Sequence, residues 1–243
     1  AAGLKPNRNK CVFMAPSVEY LGHRIYKDGL HPTEEKVKCI KEAATPQNVT
    51  ELKAFLGLLN YYARFLPHLA TKLAPMYHLL QKQCPWEWAK EQEDAFIHAK
   101  SLLQSTALLV HYDTHKPLVL ACDASPYGVG AVLSHVMGDG SEKPIEFVSR
   151  TLSPAEKGYS QLDKEALSIV FGVTKFHSYL YGRPFTILSD HKPLMYLLGE
   201  HKAIPVMASA RVHRWALTLS AYQYTIRYKP GSEQRVWSYC PRG

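Results

Sequence analysis

The stretch that most constrains this chain is Leu118-Val119-Leu120-Ala121-Cys122, an apolar run without a break that closes on Asp123. Five consecutive apolar residues bounded by turn formers fit a strand covered on both faces. The residues after it keep that rhythm. Ser125-Pro126-Tyr127-Gly128 makes a turn into a second strand over 129–135, and Gly138-Asp139-Gly140 supplies a hairpin turn into a third over 144–149. Residues 155–179 read as helix, 184–189 as a strand ending in Asp190, 193–198 and 205–220 as helices, and 223–228 as a last strand. The expected fold class is therefore α/β, a mixed five-stranded sheet with flanking helices.

The first hundred residues read differently. Residues 11–14 and 19–26 are β-prone and flank Ala15-Pro16-Ser17, so an N-terminal β-hairpin is expected, with Lys27-Asp28-Gly29 as a turn. Helices then dominate. Thr33 can cap residues 34–42, and Asn48 with Glu51 forms a capping-box pattern opening a helix over 49–66 that Pro67 stops. Leu52, Phe55, Leu56, Leu59, Tyr62, Ala63 and Leu66 recur at helical spacing as its apolar stripe. The opposite side carries Lys53, Gly57, Asn60 and Arg64, a polar strip able to meet a phosphate backbone, although spacing alone favours an ordinary solvated face. Further helical patterns cover 73–81 and 90–103, joined by Pro85-Trp86-Glu87-Trp88, whose tryptophans read as packing residues. Periodicity fades over 105–116, which divides the chain into a mostly helical unit at 1–104, a linker at 105–116 and the α/β unit at 117–243.

Composition narrows the function classes. Among 243 residues, 46% hydrophobic and 21% charged content exclude a disordered tail, a collagen-like repeat or a disulfide miniprotein. No window reaches the ~18 apolar residues of a spanning helix, so no membrane partner is expected. The five cysteines are odd in number, widely spaced and without a C-x-x-C pair, which argues against a disulfide framework or a zinc site and for a reducing, intracellular setting. The first ten residues hold no apolar segment of a secretory signal and no initiator Met, the expectation for a processed product or a piece of a longer chain. Twenty-nine Lys and Arg against 21 Asp and Glu leave a net +8, which favours a polyanionic partner such as nucleic acid.

Three carboxylates carry the chemistry. Asp123 and Asp190 each end a buried strand, and a right-handed crossover would make those strands parallel neighbours, with both acids at the carboxyl edge where ligands gather. Glu165 lies about 70° from the centre of the stripe of the intervening helix, at the border of the core. Three acids together would repel one another and raise their own pKa values unless divalent cations neutralised them. Hard oxygen ligands select Mg2+ or Mn2+, and two such ions can activate water and stabilise a leaving 3′ oxygen, the chemistry of phosphodiester hydrolysis. The competing account of any one of these residues is a turn or helix cap, above all for Asp190 before His191-Lys192-Pro193.

Several segments resemble a known family. Residues 121–125 with 128–134, residues 159–167, and residues 181–183 through 189–194 resemble the ribonuclease H domain of gypsy-type LTR-retrotransposon Pol polyproteins. Residues 214–217 and 228–231 extend the likeness, and residues 55–65 resemble the thumb and connection of the same reverse transcriptases. The resemblance implies an RNase H-like fold with Asp123, Glu165 and Asp190 as catalytic, metal-binding acids, two Mg2+ or Mn2+ ions, and the RNA strand of an RNA:DNA hybrid as substrate. It also implies partnership with the rest of a Pol polyprotein, polymerase palm and fingers included, in a cytoplasmic particle or nucleus rather than outside the cell. Two departures stand out. The sequence holds no Asp-Asp pair, so this chain by itself is not expected to polymerise DNA, and after Lys229-Pro230-Gly231 the family's fourth acid has no Asp counterpart, as a frameshift near the 3′ end would produce. Glu233 falls too early to replace it. The rival readings are an inactive nucleic-acid-binding remnant, a transposase or integrase of the same superfold, whose acids come in a different order, and a plain interaction module.

Overall fold

A computed structural model describes residue 7 and residues 11–104, 108–199 and 210–230. The chain opens with a three-stranded antiparallel sheet, β1 (Ser17–Tyr20), β2 (His23–Tyr26) and β3 (Gly29–Pro32), rather than the expected hairpin of 11–14 with 19–26. Two local facts move the strands. Leu21 and Gly22 both take positive φ, 48° and 74°, so a tight two-residue turn cuts the run 19–26 in half. Pro16, which has no N–H to give a ladder, stands just outside β1, and residues 11–14 stay unpaired and exposed.

Helices α1 (Glu34–Lys41), α2 (Val49–Tyr61), α3 (Leu69–Lys72), α4 (Ala74–His78) and α5 (Lys90–Gln104) come next, with a 3-10 turn at Ala63–Phe65. The Asn48 side chain accepts the Glu51 N–H as an N-cap should, at 3.0 Å, and the Glu51 carboxylate takes the Gln47 N–H at 2.8 Å. α2 ends at Tyr61, five residues before the expected boundary, because Pro67 forces Leu66 out of helical geometry and the chain tightens beforehand.

The second half forms β4 (Leu118–Ala124), β5 (Gly128–Val136), β6 (Glu142–Thr151), α6 (Pro154–Lys157), α7 (Gln161–Lys175), α8 (His177–Leu180), β7 (Pro184–Ser189), α9 (Lys192–Leu197), α10 (Ala210–Leu219) and β8 (Gln223–Tyr228). The expected single helix over 155–179 is three: Ser153 caps the short α6, Ser160 starts α7 afresh with its own side-chain cap, and α7 closes on Phe176, after which α8 follows without a side-chain cap. Of the helix expected over 205–220, residues 205–209 lie outside the described residues. The sheet is mixed and five-stranded, in the order β6-β5-β4-β7-β8, with β4, β5 and β6 antiparallel and the β4–β7 and β7–β8 pairs parallel.

Alternation along β4 sends its residues to two different cores. Leu118, Leu120 and Cys122 pack with Ala166, Ile169 and Val173 of α7. Val119 and Ala121, with Val132, Phe147 and Leu188 of neighbouring strands, join Leu52, Phe55, Leu59, Leu66, Phe96 and Leu103 of the helical region. The central strand is thus buried on both sides, as its apolar run requires, and the second cover is the first hundred residues of the chain. Side chains such as Phe147, 2% exposed, each contribute about 2–3 kcal/mol to that shared core. Among the described residues no helix is long and apolar enough to cross a membrane.

Candidate active site

The parallel register of β4 and β7 pairs Ala121 with Leu188, so Asp123 and Asp190 each stand two residues beyond the same rung. Glu165 comes from α7, which packs across the other face of β4, and is only 5% exposed. Its Oε1 accepts the Gln161 side-chain N–H at 2.6 Å, and the same Gln161 reaches the Ala124 carbonyl at 3.5 Å, which ties the helix to the end of β4. The helix thus delivers the third acid to the strand end that carries the first. Glu165 is more deeply buried than its place at the edge of the stripe suggests.

Burial and neighbouring charge work together here. Asp123 is pushed up to about 6, first by desolvation and then by the Asp190 carboxylate, against the Ala124 backbone N–H that favours its ionised form. Glu165 is pushed up to about 8 by desolvation, then by Asp123 and Asp190, with the Gln161 hydrogen bond opposing. The buried Cys122 thiol is raised far above its ordinary value by burial and by the charge of Glu165 and Asp123. Asp190 itself is exposed and does not cap α9, whose N-cap is His191. Among the described residues, no three His, Cys, Asp or Glu side chains are gathered closely enough to hold one metal ion. By donor type the cluster suits a hard divalent cation: oxygen ligands only, two of them costly to ionise without a nearby positive charge.

One neighbour carries no signature in the sequence. His68, in the turn between Pro67 and α3, places Nδ1 3.4 Å from Asp123 Oδ2. Burial and the nearby Lys72 lower its pKa to about 4, which favours the neutral ring beside the carboxylate. The segment is pinned further by the Ala70 N–H, which donates to Ser149 Oγ at 3.0 Å, and by Thr71 Oγ1, 2.9 Å from Ser125 Oγ. Nothing in the local sequence flags His68, since its role depends on two halves of the chain meeting.

The polar strip is less uniform in space than along the helix. Lys53, Gly57 and Asn60 lie on the exposed side of α2, and a Cβ on Gly57 would meet nothing within 4 Å. Asn60 accepts the Tyr77 hydroxyl at 2.9 Å. Arg64 lies in the 3-10 turn beyond α2 and faces Glu146 of β6 at 3.5 Å.

This arrangement of a mixed five-stranded sheet, a crossover helix and acids at the parallel strand ends is that of an RNase H-like domain. Residues 113–222 match the family described as the RNase H-like domain found in reverse transcriptase. Over 236 residues the chain is 39% identical to the retrovirus-related Pol polyprotein from transposon 297 of Drosophila melanogaster, which covers 97% of this chain and 21% of that protein. It is 34% identical over 237 residues to the transposon Tf2-3 polyprotein of Schizosaccharomyces pombe, covering 97% of this chain and 18% of that protein. The chain thus spans about a fifth of the length of these retrotransposon Pol relatives. Among solved structures, the foamy viral protease-reverse transcriptase in complex with double-stranded DNA matches with a TM-score of 0.70 and 25% identity, over 88% of this chain and 38% of that one. The same viral enzyme in complex with an RNA/DNA hybrid matches in fold with a TM-score of 0.73 and 24% identity, over 92% and 30%. Residues 113–222 thus carry a reverse-transcriptase-type RNase H-like domain.

Proposed function

We propose that this chain is the part of a retrotransposon reverse transcriptase polyprotein that hydrolyses the RNA strand of RNA:DNA hybrids, with the rest of the polyprotein, its polymerase palm and fingers included, as its covalent partner. The reading is supported by the register that sets Asp123 and Asp190 two residues beyond one rung of the parallel β4–β7 pair, and by the burial and mutual repulsion that raise Asp123 and Glu165. Asp123, Glu165 and Asp190 would hold two Mg2+ or Mn2+ ions, which when bound supply Lewis-acid activation of water and charge stabilisation at phosphorus. The protein's own part is to keep Asp123 and Glu165 on rigid elements, to leave Asp190 open to solvent, and to present a positively charged chain to a polyanion.

A second reading, an inactive nucleic-acid-binding remnant, draws on the fourth acid of the family, which has no Asp counterpart after Gly231. Residues 231–243, where a fourth acid would fall, lie outside the described residues. Cleavage of an RNA:DNA hybrid labelled on its RNA strand separates the two. In the first reading, Asp123→Asn, Glu165→Gln and Asp190→Asn each lower cleavage more than a hundredfold at matched Mg2+ while leaving the circular dichroism unchanged. With one ligand missing, the rate should climb with Mg2+ concentration and rise further in Mn2+, because mass action fills a weakened site. Parent protein that binds hybrid but never cleaves it, at any concentration of either ion, establishes the remnant.

A further inference from the structure

We propose that residues 67–72 form a working part of the acid site, and that His68 is a positioning residue for the Asp123 carboxylate; this rests on the hydrolase reading above. The first support is the direct approach of His68 Nδ1 to Asp123 Oδ2, 3.4 Å apart. The second is that the same short segment is held at two further points, the β4–β5 turn and the adjoining strand β6. Thr71 meets Ser125, whose hydroxyl oxygen also accepts the backbone N–H groups of Tyr127 and Gly128 at 3.2 and 3.0 Å, so the turn just past Asp123 is fixed. Ala70 meets Ser149 on β6, the register partner of Gly130.

The third support is space. The residue paired with Asp123 across the ladder is Gly130, and a side chain there would begin 3.8 Å from His68 Nδ1. A Cβ on Gly128 would fall 3.1 Å from Thr71 Oγ1 and 2.8 Å from the Arg150 carbonyl, tighter than the backbone could absorb. Gly128 thus leaves the room that Thr71 fills, whereas a Cβ at Gly130 would sit in ordinary contact with His68. His68 also holds φ at 52°, a left-handed conformation that residues with a Cβ seldom adopt and that tends to gather at functional sites, between Leu66 and Leu69, which anchor the turn in the core.

Groups that orient a metal-ligating carboxylate typically change metal affinity or rate by 10- to 100-fold when removed. On that basis His68→Ala should weaken Mn2+ binding about tenfold, read by electron paramagnetic resonance titration, and lower kcat for hybrid cleavage about tenfold with KM within twofold. His68→Asn keeps an N–H donor and tolerates the left-handed backbone, and should recover most of both. A role confined to packing would instead lower Tm in both variants without the split between kcat and KM. Mn2+ affinity and kcat within twofold of the parent for His68→Ala overturn the proposal. So does a loss that His68→Asn fails to recover. If the parent binds Mn2+ but cleaves nothing, a shifted Mn2+ titration upholds the positioning role while the hydrolase reading fails. A parent that binds no Mn2+ overturns both.

Discussion

Glu156 shows how much one surface carboxylate can organise. Both its oxygens take guanidinium N–H groups of Arg150 at 2.7 and 2.8 Å, and one also takes the Ser153 backbone N–H at 2.8 Å, closing a capping box at the start of α6. These hydrogen bonds, the Arg150 side chain first among them, hold its pKa down at about 2, against 4.5 for an ordinary Glu. A depressed carboxylate pKa contributes stability that is complete above the unfolded value and is lost as pH falls toward the folded one. Between pH 5 and 2 the parent should therefore lose Tm more steeply than Glu156→Gln, and near pH 7 that variant should be less stable by about 1 kcal/mol, the figure already reduced for solvent screening. Equal pH slopes for the two proteins would remove Glu156 from the acid transition. The same scale explains what is legible without a structure. Asp123 can be read because it ends an unbroken apolar run, Asp190 because it ends a strand-like segment, and Glu165 because helical spacing places it beside the core. His68 cannot, because its meaning comes from Asp123, more than fifty residues away in the chain.

At the level of elements, α7 lies unusually close to the sheet it covers. A Cβ at Gly172 would fall 2.8 Å from Ala131 Cβ and 3.2 Å from Cys122 Sγ, neither of which is the far end of a flexible side chain. In an isolated helix Gly→Ala gains about 1 kcal/mol. Here overpacking should prevail, at about 1–3 kcal/mol, so Gly172→Ala should lower the urea midpoint without changing the m-value. A higher midpoint would mean that the sheet can give way. Because α7 carries Glu165, the same variant should lose cleavage as well as stability. Elements also divide into those that local chemistry dictates and those it does not. The strand read over 223–228 is β8 to the residue, and the expected parallel pairing of β4 with β7 forms. The N-terminal strands depart from expectation because a left-handed turn at Leu21, a residue that rarely adopts one, has no sequence signature. Residues 155–179 read as one helix because the apolar spacing runs through Ser160, which caps a new helix inside it, and through the uncapped break at Phe176.

For the molecule as a whole, the decisive feature is that one core belongs to both halves. Residues 108–243 expressed alone would expose Val119, Ala121, Val132, Phe147 and Leu188, and should bind a hydrophobic dye and self-associate in size-exclusion chromatography where the full chain does not. A monomeric, dye-silent fragment would show that the face closes on its own. The net charge of +8 acts at the same scale: hybrid binding should weaken steeply with salt. Lys53→Ala, on the open side of α2, should flatten the slope of log Kd against log salt by a little under one, whereas Arg64→Ala should leave it unchanged because that guanidinium already faces Glu146. An unaltered slope for Lys53→Ala would return that lysine to the solvated surface. The shared core also sets a timetable for biosynthesis. Leu52 and Leu59 leave the ribosome first, yet Leu188, the last-made buried member of their core, follows roughly 130 residues later, on the order of ten seconds at ordinary translation rates. Throughout that interval the nascent helices carry an uncovered apolar face, so the first half cannot finish folding ahead of the second, and the growing chain should be a client of ribosome-associated chaperones until β7 is out.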